Sequence, residues 1–337
     1  MHTLRGWAAR HAHWLALAGL LGAAQPVVAG AYENSPSVNA FIDEMTRDYG
    51  FASEQLTTLF AGVERKQAIL DAISRPAERV KPWKEYRPIF ITDARIKNGV
   101  AFWNQHAEAL ARAEQEYGVP AEIIVAIIGV ETSYGGNTGN YRVVDALSTL
   151  AFDYPPRAPF FRKELREFLM LAREEQVDPA SLKGSYAGAM GLPQFMPSSF
   201  RAYAVDFDGD GHINIWSNPV DAIGSVASYF KRHKWQPGQP VASRASVKGE
   251  QAEQGLSSGL DPEKNVGELR RLGWSSADAL SDDLPVTAFR LEGAEGAEYW
   301  LGLPNFYVIT RYNRSVMYAM AVNQLSELLV QARGANQ

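Results

Sequence analysis

A glutamate on an otherwise apolar helix is the residue of this sequence best suited to acid catalysis. The run from Ala121 to Ser133 is apolar nearly all round, and a helical period places Glu131 over three isoleucines, Ile124, Ile127 and Ile128. Desolvation and the negative end of the helix dipole both disfavour a carboxylate here, so we expect the pKa of Glu131 to rise. A raised pKa suits a general acid near neutral pH. The alternative is a glutamate that merely emerges into solvent where its helix ends.

A second candidate is the segment 185–199, which carries little charge and many small residues. Small residues let a backbone approach a ligand closely. Ser185 and Gln194 would supply hydrogen-bonding groups, and Phe195 an apolar wall. A tight packing turn between helices explains the same composition equally well.

Acidic residues alternate with other residues from Asp206 onward, as in the calcium loop of an EF-hand. Ser217 stands where that loop has its bidentate glutamate, and Asp221 is the nearest substitute. The pattern predicts a structural Ca²⁺ held by Asp206, Asp208, Asp210, the backbone carbonyl of His212, and Asp221. The alternative is a plain acidic turn, with Asp221 as an ordinary acid in the first turn of the next helix.

The cluster from Arg311 to Tyr318 contains two tyrosines beside an asparagine. Aromatic faces stack on the C–H surfaces of sugars, and polar tips bind hydroxyl groups. Tyr312, Asn313 and Tyr318 would therefore suit glycan recognition. A helix start capped by Asn313, with buried tyrosines, explains the cluster as well and is favoured when the cluster is taken alone.

Helices must position most of these groups, because helical periodicity dominates the chain. A helix of 27 residues is predicted over Ile91–Tyr117, and a closing helix over Ser315–Ala332. Further helices are predicted at Asn39–Tyr49, Ser53–Val63, Lys66–Ile73, Ala121–Ser133, Val143–Phe152, Ala158–Gln176, Pro179–Leu182, Ser199–Tyr203, Pro219–Lys231 and Val266–Leu272. Short strands are predicted at Val241–Val247, Val286–Leu291, Glu298–Leu301 and Phe306–Ile309. The fold class is mainly α (α+β).

Composition excludes several kinds of function. The chain has 337 residues, a net charge of −5 and no cysteine. The acidic balance argues against a nucleic-acid partner, and the missing cysteine excludes disulfides and zinc-thiolate sites. Met1–Ala29 has the basic start, apolar stretch and small-residue cleavage site of a secretory signal peptide. It lacks a cysteine for lipid attachment, so we expect a periplasmic protein without a membrane anchor.

Several motifs together resemble the membrane-bound lytic transglycosylase B family of peptidoglycan-cleaving enzymes. They are Gly129-Val130-Glu131-Thr132-Ser133-Tyr134-Gly135, the segment from Gly188 to Ser199, the acidic loop and Arg311-Tyr312-Asn313, in the order and approximate spacing of the family. The resemblance implies a lysozyme-like helical core with an α subdomain and a small inserted β subdomain. It also implies that Glu131 is the single catalytic acid and base. The substrate-binding residues it implies are Ser185, Gln194, Phe195, Arg157, Tyr229, Tyr312, Asn313 and Tyr318.

The implied organisation is a signal peptide (1–29), an N-terminal helical subdomain (30–90), a catalytic core (91–235) with the EF-hand-like loop at 206–221, a β subdomain (236–302), and a cleft-completing segment with the C-terminal helix (303–337). The implied activity cleaves the β-1,4 bond between N-acetylmuramic acid and N-acetylglucosamine and leaves 1,6-anhydromuramic acid ends. It requires peptidoglycan glycan strands and no organic cofactor. A lysozyme-type hydrolase and a non-catalytic, calcium-stabilised wall-binding protein are the alternatives; the sequence identifies no protein partner.

Overall fold

The computed structural model describes residues 28–74 and 81–335. The predicted signal peptide lies outside these residues except for its last two positions. Helices dominate the described part, which confirms the mainly α class. None of the described helices is both long and apolar enough to cross a membrane.

The helices of the described part are fourteen in number. In chain order they are α1 (Pro36–Tyr49), α2 (Ser53–Ala61), α3 (Gln67–Ser74), α4 (Trp83–Phe90), α5 (Asp93–Gln105), α6 (Ala107–Tyr117), α7 (Ala121–Thr132), α8 (Val143–Asp153), α9 (Ala158–Glu174), α10 (Pro197–Tyr203), α11 (Pro219–Arg232), α12 (Val266–Arg271), α13 (Pro304–Tyr312) and α14 (Val316–Gly334).

The strands are short. They are β1 (Val28–Ala29), β2 (Glu64–Arg65), β3 (Tyr141–Arg142), β4 (Lys183–Gly184), β5 (Ala242–Val247), β6 (Lys264–Asn265), β7 (Trp274–Ser276), β8 (Pro285–Gly293) and β9 (Gly296–Gly302). Strands β1 and β2 pair with each other, as do β3 and β4. The other five form one antiparallel sheet in the order β6-β8-β9-β5-β7.

Three element predictions are wrong. The long helix predicted over Ile91–Tyr117 is divided at His106, whose φ of −114° and ψ of 27° leave the helical region. His106 caps both halves, because its N–H donates to the carbonyl of Phe102 and its carbonyl accepts from Leu110. The segment Pro179–Leu182 is a turn, and Phe306–Ile309 belongs to α13.

The physical reason for the last error is that a short apolar run fits a buried helix as well as a strand. Pro304 occupies the first turn of α13, where its missing N–H costs nothing. Helix α4 was not predicted at all, since Pro88 lies inside it.

The described residues divide into two compact units. The first contains 81–134 and 226–335, that is, α4 to α7, the five-stranded sheet and α12 to α14. Its sheet packs an apolar cluster against α12, with Val266, Trp274, Val286 and Leu301 almost fully buried. The boundary at residue 225 falls within α11.

Helix α14 forms the centre of the helical part of this unit, because it packs against α4, α5, α7 and α13. A Cβ atom on Gly99 or Gly129 would lie within 2.5 Å of the Tyr134 hydroxyl oxygen. Glycine at these two positions therefore lets the Tyr134 ring pack directly onto α5 and α7, beside the end of the helix that carries Glu131.

The second unit contains 28–74 and 135–225, with α8 packed on α9 and α9 on α10. Asp145 is 1% exposed and accepts hydrogen bonds from the Arg142 guanidinium and from the backbone N–H of Glu64. Glu164, which is 2% exposed, accepts from both the N–H and the hydroxyl of Ser198. These buried carboxylates fasten β2 to α8 and α10 to α9.

Candidate active site

Helix α7 delivers Glu131 to the edge of an apolar interior. All its residues from Ile123 to Val130 are buried, so packing against α5, α6 and α14 fixes its position. The helix ends where Ser133 and Tyr134 both adopt left-handed backbone conformations. Their N–H groups donate to the carbonyls of Gly129 and Ile128, which satisfies the last turn. Glu131 therefore lies in that turn, half-buried.

Tyr318 holds the carboxyl of Glu131. Its hydroxyl donates a hydrogen bond of 2.5 Å to Oε1 of Glu131. The Tyr318 side chain has no exposed surface, and the Ser315 side chain caps α14 by accepting from the Tyr318 N–H. The hydroxyl is thus delivered from a fixed position at the first turn of α14.

Burial raises the pKa of Glu131 from its ordinary value of 4.5 to about 8. The hydrogen bond from Tyr318 acts in the opposite direction, because it stabilises the charged carboxylate, but desolvation is the larger effect. Glu131 is consequently protonated at neutral pH. A protonated carboxyl with partial exposure is able to donate a proton to a bound oxygen atom.

The charge of the Glu131 carboxylate affects the pKa values of three tyrosines. Burial first, and then the charge of Glu131, raise the pKa values of Tyr86, Tyr312 and Tyr318. All three phenols therefore keep their protons and remain hydrogen-bond donors. Tyr86 was missed by the sequence analysis. The signal that would have found it is the aromatic spacing Trp83-Tyr86-Phe90, whose rings contact one another along α4.

The remaining sugar-binding candidates of the first unit meet in an aromatic cluster. The rings of Tyr229 and Tyr312 lie 4.8 Å apart, and Phe230 stacks on Tyr312 at 5.8 Å. The Tyr229 hydroxyl donates to the carbonyl of Arg311. Asn313 is the residue that ends α13, two positions before the cap of α14. The structure thus places the Tyr318 hydroxyl in hydrogen-bonding contact with Glu131. The charge of Glu131 also contributes to the raised pKa of Tyr312, after burial.

Ser185 and Gln194 lie in the second unit, on a loop held by its own backbone. Met190 pairs with both Gly184 and Phe195. The Ser185 hydroxyl accepts from the N–H groups of Ala187 and Ala189. The Gln194 amide donates to the carbonyls of Thr138 and Gly191, at a residue with a φ of 51°. Both polar side chains are therefore fixed in place.

The glycines of this loop support the packing interpretation. A Cβ atom on Gly188 would overlap Leu147, and one on Gly191 would lie 2.4 Å from the carbonyl oxygen of Ile215. Phe195 is 2% exposed, so its ring belongs to the interior of the unit. The small residues let the loop lie tightly on its neighbours, while Gln194 stays half-buried at its surface.

Arg157 lies at the start of α9, also in the second unit. Its guanidinium stands over the rings of Phe160 and Phe161, at 4.3 and 5.3 Å from their centroids. Phe160 is 38% exposed, an unusual exposure for a large apolar side chain. Arg157 and Phe160 together form a surface that is both cationic and aromatic at the start of α9.

The acidic loop gathers the first three of its five predicted ligands. One carboxylate oxygen from each of Asp206, Asp208 and Asp210 lies within 4.8 Å of the others. Backbone N–H groups of the loop donate to Asp206, and hydrogen bonds from Gly211 above all lower the pKa of its carboxyl. A cluster of charged oxygens in a turn of this kind fits a hard cation such as Ca²⁺.

Asp221 does not join that group of three. Its side chain has no exposed surface, and its two oxygens accept from the N–H groups of Phe207 and Asn214, each at 2.8 Å. Asp221 therefore ties both arms of the loop to the first turn of α11. The side chain of His212 is exposed, and the backbone N–H of His212 donates to the carboxylate of Asp210.

Comparisons with known proteins identify the family of this chain. The family model described as "Transglycosylase SLT domain" matches residues 33–327. The chain is 48% identical over 313 residues to membrane-bound lytic murein transglycosylase B of Escherichia coli, covering 90% of this chain and 85% of that protein.

Two solved structures are similar throughout. The catenated lytic transglycosylase SltB1 from Pseudomonas aeruginosa shares 73% identity at a TM-score of 0.88, over 90% of this chain and 100% of that one. The Escherichia coli lytic transglycosylase Slt35 in complex with calcium shares 47% identity at a TM-score of 0.84, over 91% and 97%. These matches confirm the lysozyme-like fold class. The chain therefore belongs to the family of lytic transglycosylases that carry the transglycosylase SLT domain.

Proposed function

We propose that this protein is a lytic transglycosylase that cleaves peptidoglycan between N-acetylmuramic acid and N-acetylglucosamine. The observation that carries the proposal is the carboxyl of Glu131, which Tyr318 holds at the end of a buried helix and whose pKa is raised by burial. Family membership supports the substrate class.

In the first step Glu131 protonates the oxygen of the β-1,4 glycosidic bond. That bond breaks, the sugar on the far side leaves as an alcohol, and positive charge develops at the anomeric carbon of the muramic acid residue. The acetamido oxygen of the same sugar stabilises this carbon. The protein's contribution is a proton donor whose pKa of about 8 matches neutral conditions.

In the second step Glu131, now a carboxylate, accepts the proton of the C6 hydroxyl. The C6 oxygen bonds to the anomeric carbon, the acetamido oxygen is released, and a 1,6-anhydro ring closes. Glu131 regains its proton, and no water is consumed. The Tyr318 hydrogen bond favours the charged carboxylate between the two steps.

A site with one catalytic carboxylate favours the proposed mechanism over a glycosidase mechanism that needs two. Glycosidases that use a carboxylate pair place the second group about 5 to 10 Å from the first. The sequence motifs that carry the candidate site supply Glu131 but no second acid in this role.

The remaining candidates are proposed to bind the glycan. Aromatic faces at Tyr229 and Tyr312 would stack on sugar rings, and amide or hydroxyl groups would bind sugar hydroxyls. Arg157, on its aromatic surface, would contact an anionic part of the substrate. The polar candidates are Asn313, Ser185 and Gln194, with Phe195 as their apolar support.

We also propose export to the periplasm, directed by a signal peptide at 1–29, because peptidoglycan lies outside the cytoplasmic membrane. In the EF-hand-like loop we propose a structural Ca²⁺ held by the carboxylates of Asp206, Asp208 and Asp210 and the carbonyl of His212, with Asp221 as the fifth predicted ligand. The clustered oxygens support it. When bound, the ion would neutralise their mutual repulsion and order the loop.

Replacing Glu131 by glutamine should abolish turnover and leave glycan binding intact. Glutamine keeps the shape of the side chain but has no acidic proton to donate, so we expect kcat to fall by about 10²- to 10⁴-fold. Mass spectrometry of products from purified sacculi measures both rate and chemistry. Glu122→Gln, in the first turn of the same helix, is the matched control and should retain activity.

Anhydro ends from the wild-type protein are the expected products, whereas reducing ends would assign a hydrolase. Undiminished turnover by Glu131→Gln would remove Glu131 from the mechanism.

Tyr318→Phe should shift the alkaline limb of the pH–activity profile to higher pH. The limb reports deprotonation of the acid in the free enzyme, so kcat/KM should fall as the pH rises through about 8 in the wild type. The lost hydrogen bond no longer stabilises the carboxylate, hence the pKa of Glu131 rises further in the variant. A limb at the same or lower pH in Tyr318→Phe would contradict the proposed role of this bond.

Calcium should raise the melting temperature. A ligand that binds only the folded state stabilises it by about 2.7 kcal/mol at 100 times its Kd. A thermal-shift titration with CaCl₂, after removal of metals by a chelator, measures the effect. Asp208→Asn/Asp210→Asn should abolish the dependence. A melting temperature independent of calcium in the wild type would exclude a specific site in this loop.

A further inference from the structure

Arg95 connects three helices beside the candidate acid. It lies half-buried in the first turn of α5, and the contacts described below all fall within the first unit. Its Nη1 donates a hydrogen bond of 2.8 Å to the carbonyl of Ile89, in the last turn of α4. Its Nη2 donates one of 2.9 Å to the hydroxyl of Ser133, the residue that caps α7. One guanidinium therefore ties the ends of α4 and α7 to the start of α5.

Both of these helix ends belong to elements that carry groups of the candidate site. Ser133 follows Glu131 by two residues, and its left-handed backbone, with a φ of 51°, forms the turn that ends α7. Helix α4 carries Tyr86 one turn before Ile89, and the charge of Glu131, after burial, raises the pKa of Tyr86. Arg95 is thus connected to Glu131 twice, along the chain through Ser133 and across space through α4.

The ends of the two helices favour a cation at this point. Carbonyls in the last turn of a helix have no partner within the helix, and the helix dipole places partial negative charge there. The Arg95 guanidinium satisfies one such carbonyl directly, at Ile89. Burial lowers the pKa of Arg95, but an arginine remains charged at neutral pH, so both of its hydrogen bonds are charge-assisted.

The turn after Glu131 needs restraints of this kind. A non-glycine residue keeps a left-handed conformation only where its surroundings determine it. Tyr134 is restrained by packing, because its ring lies against Gly99 and Gly129. Ser133 is exposed, so packing does not hold its side chain. Ser133 is restrained instead by its backbone bond to Gly129 and, through its side chain, by Arg95.

Arg95 is itself well placed to supply the restraint. Its backbone N–H donates to the hydroxyl of Thr92, which caps α5, at 3.1 Å. Its guanidinium carbon lies 5.4 Å from the centroid of the Phe90 ring. The planar guanidinium presents its donors in a fixed fork, so it reaches two acceptors at once, which a lysine ammonium does not do in the same geometry.

We propose that Arg95 is a positioning residue of the lytic transglycosylase reaction, whose two hydrogen bonds hold the turn after Glu131 against α4 and thereby keep the carboxyl within reach of the Tyr318 hydroxyl. Arg95 acts through Ser133 and α4, and it exchanges no proton with the substrate. The inference rests on the proposed function, which supplies the role of Glu131.

Kinetics of three variants test the proposal. Arg95→Gln removes both charge-assisted bonds, and we expect kcat to fall about 10- to 100-fold with KM changed by less than about two-fold, because a small misplacement of a catalytic group is costly. Ser133→Ala removes one bond at an exposed position that the fold tolerates, and should lower kcat about three- to ten-fold. Lys97→Gln removes the same charge from an exposed position of the same helix and should keep the wild-type kcat. Wild-type kcat in Ser133→Ala, or an equal loss in Lys97→Gln, would overturn the proposal.

Carboxyl ¹³C NMR of Glu131 in the resting protein separates positioning from a simple effect of charge. In Ser133→Ala the guanidinium keeps its charge, so a pKa of Glu131 above the wild-type value reports a weakened bond from Tyr318. The same replacement made in Tyr318→Phe should then cause no further rise. An unchanged or lower pKa in Ser133→Ala, or an equal rise in both backgrounds, would overturn the positioning role. Failure of the wild type to form anhydro ends would refute the proposed function alone, since this titration requires no turnover.

Discussion

The burial of one carboxyl, opposed by one hydrogen bond, is the interaction on which the rest of this structure depends. Desolvation alone would hold Glu131 neutral and poorly able to ionise; the 2.5 Å hydrogen bond from Tyr318 stabilises the carboxylate that the second half of the reaction needs. The two effects are unequal, and the pKa of about 8 is their balance. A group poised in this way is able to act first as an acid and then as a base within one cycle.

Packing within the first unit fixes the Glu131 carboxyl and the Tyr318 hydroxyl relative to each other. Helix α7 is buried along almost its whole length, and the left-handed turn at Ser133 and Tyr134 ends it at Thr132, one residue after Glu131. Helix α14 packs on α7 and brings Tyr318 in its first turn. Glycines at 99 and 129 let the Tyr134 ring pack directly onto α5 and α7. Together these contacts set the positions of Glu131 and Tyr318.

The sequence predicted Glu131 because a carboxylate among isoleucines violates helical patterning, and such a violation is visible without coordinates. It did not reveal Tyr86, because α4 is short and contains Pro88. The strand predicted at Phe306–Ile309 failed because its buried residues fit a helix equally well. The division at His106 depends on a single residue leaving the helical region, which periodicity does not register. The loop at 185–199 needed coordinates too, since its glycines pack against Leu147 and Ile215.

The central claim concerns the protonation of one side chain, and a titration of that side chain tests it most directly. Carboxyl ¹³C NMR of protein labelled at glutamate, with Glu131→Gln to assign the resonance, reports the pKa of Glu131 in the resting protein. The account predicts a midpoint near 8, well above the ordinary 4.5. A midpoint close to 4.5 would mean that the carboxyl is ionised at neutral pH, and it would contradict the assignment of Glu131 as the acid.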